Sequence, residues 1–181
     1  MAFLKRTATL LTTAAAMVGT SLTVAAPASA AAPWKCATSS RSIDNPSTWI
    51  GSDDWNFKMT VCAAHGGSTA YAKVTITWDG PVLTSGADDR TIFDDAEVRY
   101  TVYKSVPGTD PAVKSQTVGQ KFEDKLEDSD RWGNYNNSFA SDTFAASVGS
   151  TKAYAGGIIR LDFDGDGRSY QTLRFTLTPL A

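Results

Sequence analysis

From Trp55 to Trp78 the chain alternates apolar and polar residues with a period of two, interrupted only around Gly66-Gly67. In WNFKMTVCA, Trp55, Phe57, Met59, Val61 and Ala63 share one parity, and Asn56, Lys58, Thr60 and Cys62 the other. In AYAKVTITW the apolar parity holds Ala70, Ala72, Val74, Ile76 and Trp78. A period of two sends successive side chains to opposite faces of an extended chain and cannot place them on one side of a helix. The segment therefore predicts a half-buried β-hairpin, with the two glycines at its turn.

The same alternation returns elsewhere. In residues 97–105, Val98, Tyr100 and Val102 oppose Arg99, Thr101 and Tyr103 until Pro107-Gly108. Ile159, Leu161 and Phe163 run up to the turn-rich DGDG, and Leu173, Phe175 and Leu177 continue beyond it. Shorter extended segments are expected at residues 35–43, 91–93, 112–118 and 139–148. About seven to nine strands result, the count of an antiparallel two-sheet sandwich with an immunoglobulin-like layout. Only Phe122 and Leu126, spaced by one helical turn in QKFEDKLED, predict a short helix.

The first thirty residues stand apart. Lys5 and Arg6 precede a run without charge from Thr7 to Ala26, then Pro27 and the small residues Ala28-Ser29-Ala30. A basic start, an apolar middle and a small-residue end are the layout of a secretory signal peptide, with cleavage expected after Ala30. Residues 31–181 are then one secreted domain of 151 residues, large enough for a single core. Cys36 is preceded by Pro33, Trp34 and Lys35, which excludes a lipoprotein signal, and no membrane insertion is expected once the leader is gone. The leader holds two of the 17 basic residues and none of the 19 acidic ones, so its loss moves the formal charge from −2 to −4. An acidic domain does not suit nucleic acid as a partner.

Cys36 and Cys62 are the only cysteines, and outside the cell they are expected to form one disulfide with a structural role. Oxidised cysteines and a single histidine, His65, leave no ligand set for an ordinary zinc site. With no G-x-S-x-G elbow, a Ser-His-Asp hydrolase is disfavoured, and phosphate-loop and dinucleotide fingerprints are absent.

Two places retain chemistry. Asp162, Asp164 and Asp166, followed by Gly167, match the opening of a calcium-binding loop, but Leu173 stands where that loop needs its closing Glu. Such a segment is either a partial calcium site completed from elsewhere or, more simply, a hairpin turn with solvated carboxylates. The second place is the loop-like stretch at residues 129–141, where Arg131, Trp132, Asn134, Tyr135 and Asn136 combine aromatic faces with amide and guanidinium donors. Stacking and hydroxyl bonding of that kind suit a sugar. Non-catalytic binding of an extracellular glycan is the expected function, with no cofactor expected and calcium at the acidic turn the one candidate. Alternatives are a small extracellular hydrolase using a carboxylate pair, the acidic doublets being Asp53-Asp54, Asp88-Asp89, Asp94-Asp95 and Glu123-Asp124, and a protein-binding or inhibitor domain.

Overall fold

The computed structural model describes residues 33–46, 54–81, 92–128 and 135–181. The leader, Asp53, Asp88-Asp89, Thr91, Arg131, Trp132 and Asn134 lie outside the described residues. Among those described, nine strands form two antiparallel sheets packed as a β-sandwich. The first sheet holds β1 (Lys35–Ile43), β2 (Trp55–Gly66) and β3 (Thr69–Asp79) in order, with β6 (Asn137–Ala140) and β7 (Phe144–Ser147) both pairing β3. The second runs β5 (Ala112–Val118), β4 (Phe93–Lys104), β8 (Ala153–Phe163) and β9 (Gln171–Arg174). The chain crosses between sheets from β3 to β4, returns after β5 through the helix at 120–127 to β6, and crosses again from β7 to β8.

The alternating parity decides which face is buried. Trp55, Phe57, Met59, Val61 and Ala63 point inward from β2, and Ala70, Ala72, Val74, Ile76 and Trp78 from β3. Val98, Tyr100 and Val102 of β4 meet them with Ile159, Leu161 and Phe163 of β8. One end of this core is aromatic: the Trp55 ring lies 5.3 Å from Phe93 and 5.9 Å from Tyr135, and Trp78 meets Phe122 edge-on at 5.8 Å.

Three bulges account for where simple alternation ends. Phe93 faces Phe163 and Asp95 faces Asp162, so Asp94 is an extra residue, and the segments expected separately on either side of it share one strand, Phe93–Lys104. Residues 139–148 become two strands, since four steps from Ala140 to Phe144 oppose three from Thr75 to Ala72. The surplus is taken up at Ser141, whose hydroxyl accepts from the Val74 amide. After β9, Phe175 donates to the Gly157 carbonyl but Thr178 to that of Ala155, three residues against two. The parity flips, burying Thr178 and leaving Leu177, expected inside, 49% exposed over Gly156.

The helix forms where Phe122 and Leu126 predict it, as α1 (Gln120–Glu127), with both residues buried. It replaces a strand. β5 pairs β4 only from Val98 to Tyr103, which leaves the amides at the start of β4 without a ladder partner on that side. Carboxylates from α1 take them: Glu127 Oε1 accepts from the Ile92 and Phe93 amides at 2.7 and 3.0 Å, and Glu123 Oε2 from Ala96 at 2.9 Å. Burial pushes the Glu123 carboxyl up, against the lowering effect of the Ala96 amide. Glu127→Ala leaves two part-buried donors unpaired and should cost about 2 kcal/mol in urea unfolding, while Glu127→Gln, which keeps an acceptor oxygen, should cost less than half of that.

Cys36 and Cys62 are joined, directly opposite one another on neighbouring strands of the first sheet. In antibody domains the bridge crosses between sheets. Here it fastens an edge strand to its neighbour. Among the described residues no helix is long and apolar enough to cross a membrane.

Candidate functional site

The parity that buries the apolar side of β2 and β3 turns the other side to solvent, and the residues there are nearly all small and polar. Ser40, Lys58, Thr77 and Ser138 stand in one row across β1, β2, β3 and β6, and Thr38, Thr60, Thr75 and Ala140 in the next. A third row starts with Ser42, Asn56 and Asp79. Apart from partly covered Thr60, every one of these residues is exposed. Four strands about 4.8 Å apart and rows about 6.7 Å apart make a field roughly 14 Å by 13 Å.

The field is ordered by its own hydrogen bonds. The hydroxyls of Thr38 and Thr60 are 2.8 Å apart, and Ser42 donates to Asn56 Oδ1 at 2.6 Å. Beyond the disulfide lies Trp34, 37% exposed, with Lys73 Nζ 4.5 Å from its ring centroid. At the opposite end Asn136 is exposed, its Oδ1 accepting from the Gly80 amide at 2.9 Å. The surface thus joins an aromatic ring, a hydroxyl field and one member of the expected 129–141 loop. Reading for core residues passes over it, yet its signal is plain: the polar parity of KCATSSRSI, WNFKMTVCA and AYAKVTITW is dominated by Ser, Thr, Asn and Lys.

Tyr135 does not serve as expected. Its side chain is wholly buried against Trp55, so no ring face is presented to a ligand. Arg131, Trp132 and Asn134 lie outside the described residues. Trp55 and Trp78 are core, as their parity requires.

At the acidic turn, Gly165 and Gly167 both have positive φ, the hairpin geometry that glycine permits without a Cβ clash. Asp164 is exposed, Asp162 half-buried at the end of β8, and Asp166 Oδ1 accepts from the Arg168 amide at 2.6 Å. The bulge at Asp94 brings a fourth carboxyl to this turn. Its pKa is raised by desolvation first, then by the charge of Asp164 and of Asp162, and by a hydrogen bond with Asp164. Among the described residues no three His, Cys, Asp or Glu side chains converge as a cation site. Nor does the Asp94–Asp164 pair suit glycoside hydrolysis, which holds its carboxyls about 5 Å or more apart to fit the sugar between them. His65 sits in β2 opposite Ala70, half-buried, with Nε2 unpartnered among the described residues.

A second polar network crosses the outer face of the other sheet. Arg160 pairs with Glu97 at 2.6 Å and lies 4.0 Å over the Tyr170 ring, while the Tyr170 hydroxyl donates to Asp95. That bond, with burial next, pushes the Tyr170 hydroxyl up to about 12. Burial, then the bond to Asp110, does the same for Tyr154, also about 12. Both values exceed the ordinary 10, so the stability these hydroxyls contribute is complete below pH 10 and is lost as pH rises toward 12. In an alkaline titration followed by tyrosinate absorbance, at least two of the six tyrosines should ionise late. Tyr170→Phe should remove one of them and flatten the loss of stability over that range.

No protein-family model matches this chain, and no curated protein is similar to it in sequence.

Proposed function

We propose that residues 31–181 are a secreted domain, released by cleavage after Ala30, that binds glycan outside the cell without catalysing a reaction on it. The observation that carries this reading is the hydroxyl and amide field on the outer face of the first sheet, flanked by exposed Trp34. Short side chains held by a rigid sheet lose little entropy on binding, and hydroxyls both donate and accept, as the hydroxyls of a polysaccharide do. Trp34 offers a partly open ring for a pyranose face. The Cys36–Cys62 bridge suits an oxidising exterior.

The test is co-sedimentation with insoluble cellulose, chitin and peptidoglycan, using the wild type and Thr75→Glu. Thr75 is exposed in the threonine row of the field, on an interior strand of the sheet, so the substitution changes the surface and leaves the core intact. At least one polymer should retain the wild type and bind the variant at least tenfold more weakly. Failure of all three to retain the wild type, or equal retention of the variant, would sink the assignment.

A further inference from the structure

Where β1 and β9 part beyond the bond from Arg41 Nε to the Arg174 carbonyl, the two sheets leave an open groove of about 790 Å³ between their edges. One wall is the end of β1 with Asp44 and Pro46, and the other is Arg168 with the start of β9. Ile43, buried at the rim of the core, and half-buried Leu173 give it an apolar lining together with Pro46. The polar groups come from Asp44, Arg168 and Gln171. Gly167, at φ 66°, ends the acidic turn immediately before Arg168.

The charges decide the ligand class. Among the described residues neither the Asp44 carboxylate nor the Arg168 guanidinium has a hydrogen-bond or ion-pair partner, so an acceptor and a donor fork stand ready without one neutralising the other. An anionic ligand would meet Asp44 in a domain whose formal charge is −4 without the leader, and a cationic one would meet Arg168. A neutral polyol suits both, since each hydroxyl can donate to the carboxylate or accept from the guanidinium. Its C–H face would rest on Ile43, Leu173 and Pro46. Ser42 belongs to this groove and to the last row of the hydroxyl field, so the two surfaces are continuous. The volume lies within the range of about 300–1,000 Å³ typical of ligand sites.

We infer that this groove is the specificity subsite of the binding surface and takes a neutral oligosaccharide segment, with Asp44 and Arg168 bonding its hydroxyls. This rests on the glycan-binding assignment and locates its selectivity in a different place from the hydroxyl field.

Calorimetric titration of the whole protein with cellohexaose, chitohexaose, xylohexaose and maltohexaose, with hexagalacturonate as the acidic comparator, tests it. One neutral hexasaccharide should bind at one site per chain, and Asp44→Ala and Arg168→Ala should each weaken it about tenfold, the effect of losing a charge-assisted hydrogen bond. Both side chains are exposed, and unchanged melting temperatures would show that the variants fold. Binding of a neutral hexasaccharide undiminished in both variants, or tighter binding of hexagalacturonate, overturns the groove. If no hexasaccharide binds while an insoluble polymer still retains the protein in a manner sensitive to Thr75→Glu, the groove fails and the glycan-binding assignment stands. If neither binds, both fail.

Discussion

Gly80→Ala should lower stability by about 3 kcal/mol, the upper part of the range for inserting atoms into a full core, and lower the melting temperature by roughly 6–12 °C. The φ of Gly80 is not in the left-handed region, so the cost is one of space. A Cβ built there would stand 2.6 Å from the Tyr135 carbonyl oxygen, 2.7 Å from Tyr135 Cβ and 2.8 Å from Trp55 Cζ3. None of these atoms can yield cheaply. Two belong to or adjoin backbone, and the third is the edge of an indole wedged between Phe57, Phe93 and Tyr135. Any shift of Tyr135 also moves Asn136, which holds the Gly80 amide.

Gly157→Ala is the informative contrast. Its Cβ would approach Met59 Sδ to 2.4 Å and Val61 Cγ2 to 3.1 Å, which is just as crowded by distance. The nearest neighbour, however, is a thioether with three rotatable bonds, the side chain best able to repack. A loss of about 1–2 kcal/mol is expected there. Urea unfolding of the two variants decides the matter: equal losses, or a Gly80→Ala protein within about 1 kcal/mol of wild type, would mean that the aromatic end is looser than its geometry implies.

Most of the sandwich was legible in the sequence because one physical rule wrote it. Burial on one face of a pleated strand imposes period two, and Trp55 to Ala63, Ala70 to Trp78 and Ile159 to Phe163 obey it without exception at their inward positions. The rule fails where the chain gains a residue against its partner. Asp94, the residues around Ser141 and the step from Phe175 to Thr178 are such places, and nothing in the local composition marks a bulge. Leu177 therefore reads as core and lies outside, while Tyr135 reads as loop and lies inside. The hydroxyl field is a third case. Each strand shows its polar parity separately, but only the register brings Ser40, Lys58, Thr77 and Ser138 into one row. Pairing between segments far apart in the chain cannot be read from either segment alone.

Replacing both cysteines with serine should cost about 3 kcal/mol, the value the chain-entropy model gives for a bridge closing 25 intervening residues. Much of that loss should appear locally. Of the residues in β1 only Ile43 is buried, so the strand adds little to the core and is held by its ladder to β2, the bridge and polar fastenings. Those fastenings run to the C-terminal segment: Lys35 Nζ to the Leu180 carbonyl, the Thr176 amide to Ser39 Oγ, and Arg41 Nε to the Arg174 carbonyl. Releasing β1 therefore frees residues 174–181 on that side, while the pairs β2–β3 and β4–β8 keep their full apolar faces. Hydrogen exchange of the Cys36→Ser/Cys62→Ser protein should show β1 and the last residues opening well before β3 and β8. Uniform acceleration across both sheets would instead mean that β1 is integral to one cooperative unit. Since Thr38, Ser40 and Ser42 leave the hydroxyl field with β1, polysaccharide retention should fall under reducing conditions that leave the remaining sandwich folded. Cys36 is exposed, so a soluble dithiol can reach the bridge, and the wild type treated in this way should behave as the double variant does.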